Sequence, residues 1–456
     1  MRLITNPQTT FCFQHTTSSG KEQWRKIAEI MDANPQIAAM VWNDLNTKSD
    51  GCPKKDTGAK GMSAEQVLRF AIVKMREGLS YRGLHDRVDD SITLRELCKT
   101  PFDRVPAFTT LQENIKKLRP QTLARINDVI IRYARERKIE NGNQVRMDTT
   151  AIESNIHHPV DSEQLWDCVR VITRILRGIE TEVPRLHGRF SDHTRAAKRL
   201  RYKLHNVRGK ENRKALYRRL IKLTRNVVAY GRQAIQELHP LRCLPCEDPL
   251  LAIAFAGELE HFLPLAQAVI AQSERRVLHG EAVPAQQKVV SIFEEHADII
   301  KKGQREIIYG HKVLFTGGKS NLILDCAIKR GNPADAEQFI PALERHRQRF
   351  GRAPKKVATD GGFASKDNAV QARGMGVQDI AFSSLKGNKL SELVKSERTY
   401  KRLRKWRAGI EGIVSATKRA FGLDRCTWSG FESFQSYVLL GVLAFNLQTL
   451  ARHLLA

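Results

Sequence analysis

Three acidic residues stand in settings suited to metal-assisted phosphodiester chemistry. Asp148 lies in Arg146-Met147-Asp148-Thr149-Thr150, within a run of β-forming residues. Asp360 follows Val357-Ala358-Thr359 and precedes Gly361-Gly362-Phe363, while Glu411 lies in the basic segment Trp406-Arg407-Ala408-Gly409-Ile410-Glu411. A carboxylate in or at the end of a buried strand is costly unless it is paired or binds a metal. Three such groups brought together repel one another, and oxygen-preferring divalent ions, Mg²⁺ or Mn²⁺, resolve that repulsion. Two ions about 3.5–4 Å apart stabilise both the entering and the leaving oxygen of an in-line displacement. Gly361 and Gly362 leave room for backbone or substrate beside Asp360. Asp148, Asp360 and Glu411 are therefore the candidate catalytic carboxylates and metal ligands, with Glu432 and Glu397 as substitutes for the third position. Each has a plainer reading too: a strand-end aspartate, an Asp-Gly turn, an exposed helical glutamate.

The elements that must position these residues follow from hydrophobic period and turn residues. Residues 1–60 read as irregular apart from a short helix over Glu22–Ala33. Residues 61–140 read as a helical domain of four or five helices, with Ser63 as an N-cap. Asn141-Gly142-Asn143 is a turn, and 144–156 is a strand. Residues 161–240 then switch to helical period with Leu165, Val169, Ile172, Leu176 and Ile179 on one face, which predicts two or three long helices. Residues 250–283 predict two more. After 286, strands at Tyr309–Phe315 and Leu322–Ile328 flank the hairpin turn Gly317–Asn321. A helix over 335–349, a strand into Asp360, a helix over 366–373 and a strand over 377–382 continue an α/β alternation. Arg398–Phe421 and Phe434–His453 are the final helices. The domain reading is thus 1–60, a helical DNA-binding domain over 61–140, a catalytic domain over 141–160 and 285–456, and a basic helical insertion over 161–284. Asp148 and Asp360 are 360 − 148 = 212 residues apart because the insertion follows the first strand. Asp360 and Glu411 are 411 − 360 = 51 apart.

The charge speaks about partners. Lys and Arg number 76 against 49 Asp and Glu, a net charge of +27. Nucleic acid is the commonest polyanion for such a chain. Residues 170–232 contain 19 Lys/Arg and 4 Asp/Glu, so more than half of the excess sits in 63 residues. Arg195, Lys198, Arg199 and Arg201 are candidate phosphate contacts there, because the acids needed for pairing within the helices are absent. Tyr202, Tyr217 and Tyr230 are interleaved and suit either stacking or core packing. Arg407 and Lys418, four before and seven after Glu411, share its face if 398–421 is one helix. Eight cysteines are read as reduced thiols, and no transmembrane or signal segment is expected, since one of the longest apolar runs, 437–445, is only 9 residues long. Cys243-Leu244-Pro245-Cys246 has the spacing of a zinc half-site without a second half. Glu153 and Asp161 are possible supporting carboxylates; His157, His158 and His311 read as structural or substrate-facing.

Taken together, these motifs resemble bacterial insertion-sequence transposases of the DDE type, and within them the ISNCY-like group. The resemblance runs from Ser80-Tyr81-Arg82 through Asp148-Thr149-Thr150 and 155–162 to Gly331–Asp335 and Asp360-Gly361-Gly362-Phe363. A C-terminal signature of such families, Tyr, two residues, Arg, three residues, Glu, six residues, Lys, is met by Arg407, Glu411 and Lys418; Arg404 stands at the tyrosine position, with Tyr400 one turn earlier. The resemblance implies an α/β fold: an RNase H-like mixed sheet with a helical N-terminal domain. It implies two Mg²⁺ or Mn²⁺ on Asp148, Asp360 and Glu411, double-stranded DNA as partner (terminal inverted repeats and target), a homodimer in the synaptic complex, and a cytoplasmic, nucleoid-associated location. Other placements of the insertion occur among such enzymes, so 161–284 carries no structural analogy. Two alternatives stay open: a nuclease of the same fold without strand transfer, and a domesticated DNA-binding protein without catalysis.

Overall fold

A computed structural model describes residues 4, 19–47, 61–100, 104–183, 190–239, 249–302 and 306–456. The chain folds into two compact units, 1–155 with 300–456, and 156–299.

The first unit opens with α1 (Ser19–Asp32), which covers the helix expected over 22–33, and α2 (Gln36–Asn46), which corrects the expectation of an otherwise irregular segment within the described residues. Ile27, Ile30, Ile37, Val41 and Leu45 give these helices a buried face, which the short apolar spacing did not make obvious. Five helices follow: α3 (Ala64–Glu77), α4 (Tyr81–Asp89), α5 (Ile92–Leu97), α6 (Phe108–Ile115) and α7 (Pro120–Glu136). α3 starts at a capping box in which Ser63 accepts from the Gln66 N–H and the Gln66 side chain accepts from the Ser63 N–H. It stops at Gly78, whose φ of 64° suits only a residue without Cβ strain.

β1 (Gln144–Glu153) enters the sheet, and the chain returns to it through β2 (Asp298–Lys302), β3 (Glu306–Gly318) and β4 (Ile323–Lys329). β1 pairs antiparallel with β3, Asp148 opposite Phe315, and β3 forms the expected hairpin with β4. β5 (Lys356–Thr359) pairs parallel with β1, and β6 (Asp379–Phe382) parallel with β5. The six-stranded sheet has the order β2-β3-β1-β5-β6 with β4 also on β3. This mixed α/β arrangement agrees with an RNase H-like catalytic domain joined to helical regions.

In the second unit, α8 (Asp161–Glu182), α9 (Thr194–Asn206), α10 (Lys210–Leu238) and α11 (Pro249–Ser273) pack on one another around Ile172, Leu220, Val227 and Leu259. α11 runs into a π-turn over Glu274–His279, so 249–279 is one continuous element where two helices were expected. The Cys243/Cys246 pair lies outside the described residues.

The first unit is completed by α12 (Asp335–Phe350), α13 (Lys366–Gly374), α14 (Leu390–Leu393), α15 (Glu397–Arg407), α16 (Gly409–Ala420) and α17 (Phe431–Leu455). The expected single helix over 398–421 is broken at Ala408. Two helices, Pro249–His279 and Phe431–Leu455, have the length and apolar composition of a membrane span, where the sequence reading expected none. α17 places most of its apolar surface in the core, against α7, α1 and α3. α11 packs on α8 and α10 and leaves Leu250 and Ile253 exposed.

A buried amide holds this core in register. Asn446 of α17 accepts from the Ile323 N–H at 2.8 Å and donates to the Ile323 carbonyl at 2.8 Å and to Asn127 Oδ1 at 2.7 Å. One side chain therefore joins α17, β4 and α7. Asn446→Leu fits the volume but strands these groups, at roughly 1–3 kcal/mol for each one left unpaired. Urea denaturation of this variant is expected to show a loss of roughly 2–4 kcal/mol, on the same principle.

Candidate active site

Asp148 lies in the middle of β1, at the centre of the sheet, where its side chain is mostly buried. Burial pushes its carboxyl up to about 6. The neighbouring Asp360 and Asp335 push the same way, against the Thr149 N–H and Arg407. Asp360 follows β5, the parallel neighbour of β1, so sheet pairing alone brings the ends of these two segments together. Its Oδ1 accepts from the Ser383 hydroxyl at 2.7 Å and from the Gly361 N–H at 2.7 Å. The Ser383 hydrogen bond, then the Gly361 N–H and Arg407, hold this carboxyl below the usual range despite partial burial. Two carboxylates of one type are thus pushed in opposite directions by their surroundings.

Glu411 is exposed near the start of α16, and its Oε1 meets Arg407 Nη2 at 3.1 Å. Arg407 ends α15, and its Nη1 lies 3.8 Å from Asp148 Oδ2. The Arg407 guanidinium therefore stands between the first and third predicted carboxylates and also lowers the second. Their close approach survives the helix break because residues 407 and 411 flank it. Lys418 lies two turns further along α16 and pairs with the exposed Asp424 at 3.6 Å. Arg404 stands where the family signature has tyrosine, and Tyr400 donates its hydroxyl to the Phe382 carbonyl at 2.6 Å, fixing α15 on β6.

Arg146 lies at the break. Its Nη1 donates to the Trp406 carbonyl at 2.8 Å, its guanidinium lies 4.7 Å from the Trp406 ring centre, and Nη2 donates to Asn321 Oδ1. A Cβ at position 409 would meet Arg146 Nη1 at 2.0 Å, so a side chain where α16 begins would displace the Arg146 guanidinium.

The sequence reading did not single out Asp335, the first residue of α12. Its Oδ1 accepts from the Thr149 hydroxyl at 3.1 Å and from Lys312 Nζ at 3.2 Å. A Cβ at Gly362 would lie 2.7 Å from Asp335 Oδ2. The signal was present: Asn332-Pro333 before the helix and Gly-Gly after Asp360 are complementary, but only the fold brings them together.

Other candidates resolve differently. His311 is fully buried, with its ring 4.9 and 4.8 Å from those of Phe431 and Phe434, so it is a core residue. His157 binds Asp167 at 2.7 Å, and Asp161 binds Arg276 at 2.9 Å within the helical unit. The main chain of Glu153 is tied to the segment 424–426, accepting from the Cys426 N–H at 2.8 Å. Tyr217 is buried and Tyr230 stacks on His193, which leaves Tyr202 as the exposed one of the three tyrosines. Arg195, Lys198 and Arg199 of α9 are exposed, whereas Arg201 is held by Glu163 at 2.5 Å. Glu397 pairs with Lys401 on the surface of α15.

Among the described residues, no three His, Cys, Asp or Glu side chains are grouped closely enough to hold a metal ion. The donor chemistry nonetheless fits a hard divalent ion. All the donors are carboxylate oxygens, and Asp148 is destabilised as an anion by burial and by two acidic neighbours. Arg407 supplies positive charge between Asp148 and Glu411.

Residues 285–447 match a transposase DDE domain, and residues 13–117 match a transposase domain (DUF772), together more than half of the chain. The chain belongs to the insertion-sequence DDE transposases. Asp360 and Glu411 fall within the DDE match, while Asp148 lies between the two matched segments. The matches do not resolve an ISNCY-like group. No characterised protein and no solved structure matches the chain. In this transposase the family implies DNA substrates, polynucleotidyl transfer and, typically, divalent metal ions.

Because Arg146 joins β1, the hairpin turn and the α15–α16 junction, Arg146→Lys keeps one charge but loses the fork that makes these bonds. A loss of roughly 1–3 kcal/mol is expected in chemical denaturation, from the acceptors left unpaired. Trp406 fluorescence is expected to shift with it.

Proposed function

We propose that Asp148, Asp360 and Glu411 are the catalytic carboxylates, and that this transposase cleaves the ends of its element and joins them to target DNA. The observation that carries this reading is the Arg407 guanidinium between Asp148 and Glu411, beside Asp360, at the centre of the sheet. Two Mg²⁺ or Mn²⁺ held by these carboxylates would supply Lewis-acid activation of the phosphodiester and of the attacking hydroxyl.

The chain's own residues prepare that site. Ser383 and the Gly361 N–H keep Asp360 ionised and fix its orientation. Thr149 and Lys312 hold Asp335 beside Asp148 as a supporting carboxylate. When the carboxylates are neutralised, Arg407 is released from them and is free to grip the phosphate next to the scissile bond. Lys418 lies about 10 Å along α16 from Glu411, at 1.5 Å per residue. Its pairing with an exposed aspartate is weak enough for a DNA phosphate to displace. We assign it to positioning the DNA end.

The exposed α9 cations, Arg195, Lys198 and Arg199, would provide sequence-independent affinity, with Arg201 contributing less because Glu163 holds it. Recognition of terminal inverted repeats falls to the helices over 61–140. Action on paired ends calls for a homodimer in the synaptic complex, working on nucleoid DNA. A nuclease without strand transfer has the same carboxylates; joining of a 3′-hydroxyl end to target oligonucleotides separates the two.

Two outcomes are expected. Asp148→Asn abolishes Mg²⁺-dependent cleavage of an end-containing duplex while gel-shift binding to that duplex persists. A variant that still nicks near the wild-type rate would remove Asp148 from catalysis. Replacing Arg195, Lys198 and Arg199 with Gln weakens binding to every duplex alike, and the slope of log K against log salt becomes shallower by about 0.9 per lost phosphate contact. Adding Arg201→Gln changes the slope little. An unaltered slope in the triple variant would place this face away from DNA.

A further inference from the structure

The Ser80-Tyr81-Arg82 segment takes no part in the carboxylate site, yet it helps to wall a cavity of about 430 Å³ in the first unit. Small-molecule sites span about 300–1,000 Å³. The cavity lies between α3, α4, α6 and the segment 421–437, and Lys74, Tyr81, Gln112, Lys116, Trp428 and Tyr437 line it.

Lys74 is the unusual member. It is 6% exposed, and its ammonium sits 5.0 Å from the Tyr81 ring centre and 5.9 Å from that of Tyr437. No acidic residue lines the cavity, and among the described residues no carboxylate pairs with Lys74. Ring faces offset only part of the desolvation of a buried cation, and burial draws the ammonium down to about 8. The other polar groups are donors or can donate: the Lys116 ammonium, the Gln112 amide, the Tyr81 hydroxyl and the Trp428 N–H. The last two face one another, buried, without closing a hydrogen bond of good geometry. A chamber of donors around an unpaired cation is complementary to an anion. Its walls of indole and phenol rings are complementary to a flat heterocycle.

We propose that this cavity binds a nucleoside monophosphate unit, with the phosphate on Lys74 and Lys116 and the base against Trp428 and Tyr437. The choice of a nucleotide over other aromatic anions rests on DNA being the substrate; the site itself does not depend on the carboxylate assignment. The unit has two sources, a free nucleotide or an unpaired terminal nucleotide of a DNA strand. The fold ties the cavity to the catalytic sheet. Trp428 and Thr427 follow Cys426, whose N–H donates to the Glu153 carbonyl at the end of β1, and Asn155 Nδ2 donates to the Thr427 carbonyl at 3.4 Å. An occupant would therefore sit on a segment hydrogen-bonded to the strand that carries Asp148.

The test uses the full-length protein in EDTA, so that it is independent of metal-supported cleavage. Titration calorimetry with deoxyadenosine monophosphate and with deoxyadenosine is compared for wild type, Lys74→Met and Lys116→Gln. Lys116 is exposed, so its replacement does not threaten folding. Wild type is expected to bind the monophosphate at least about tenfold more tightly than the nucleoside, and each variant to lose about tenfold for the monophosphate alone. Lys74→Met is expected to melt no lower than wild type without ligand, since it removes a buried unpaired charge. The source is read from duplexes. If both variants weaken binding to a duplex with one unpaired terminal nucleotide but leave the blunt duplex unchanged, the strand end is the ligand. If only the free monophosphate responds, the ligand is the free nucleotide. The proposal is overturned if wild type binds neither the monophosphate nor the overhang better than the controls. It is also overturned if the variants bind both as wild type does.

Discussion

The candidate site hangs on one buried guanidinium. Arg146 enters on β1, two residues before Asp148, and is pinned by the Trp406 carbonyl and the Asn321 side chain. Burial lowers its pKa to about 10, so it is held charged by geometry against its surroundings. It occupies the space that a side chain at 409 would fill, beside the junction where one helix ends and the next begins. α15 ends and α16 starts there, with Arg407 and Glu411 on either side of the break, and Arg407 reaches Asp148 on β1. The candidate site and the sheet's central strand are therefore tied together by the same side chain.

The electrostatic pattern follows from that arrangement. Asp148 is mostly buried and its neighbours are acidic, so its charge is opposed; Asp360 is exposed at the end of β5 and receives two hydrogen bonds, so its charge is supported. Arg407 touches the first and third carboxylates and reaches the second electrostatically. The cluster therefore has an internal counter-charge in the absence of any bound cation. The guanidinium pairs with two of these acids at once, Asp148 at 3.8 Å and Glu411 at 3.1 Å.

Much of this was legible in the sequence, because it rests on local patterns. The run 144–153, the hairpin at 317–321 and the strand into Asp360 follow from alternation and turn residues, and Ser63 with Gln66 reads directly as a capping box. Parallel pairing of β1 with β5 then brings Asp148 and Asp360 together without further information. What was not legible depends on contacts between distant segments. The break at Ala408 lies against Arg146, 260 residues away in sequence from its Trp406 acceptor. Asp335 belongs to the acidic cluster only because Gly362 leaves room for it and Thr149 binds it. The helical character of 36–46 comes from an apolar face that packs on α3 and α7, not from a side-chain cap. The cavity under Tyr81 escaped notice because its walls come from 74–81, 112–116 and 421–437, and a lysine among apolar residues reads as surface until its burial is seen.

The insertion shows how a sheet tolerates a large excursion. The chain leaves β1 at Asn155 and returns at 300, where the strands of the first unit resume. Glu153 lies opposite Gly310 in the β1–β3 ladder, and the Ser154 N–H donates to the Tyr309 carbonyl at 2.9 Å. The exit from β1 therefore runs beside β3, the second strand after the return. An inserted segment whose ends meet in this way leaves the register of the parent sheet intact, and the closure penalty rises only logarithmically with its length. The excursion has its own hydrophobic core, built from four helices, so it need not draw on the catalytic core for stability. That independence lets the strongly basic stretch 170–232 sit within one insertion. Repulsion among the cations of α9 and α10 is carried by a unit with its own packing, and the folding of the catalytic sheet does not have to absorb it.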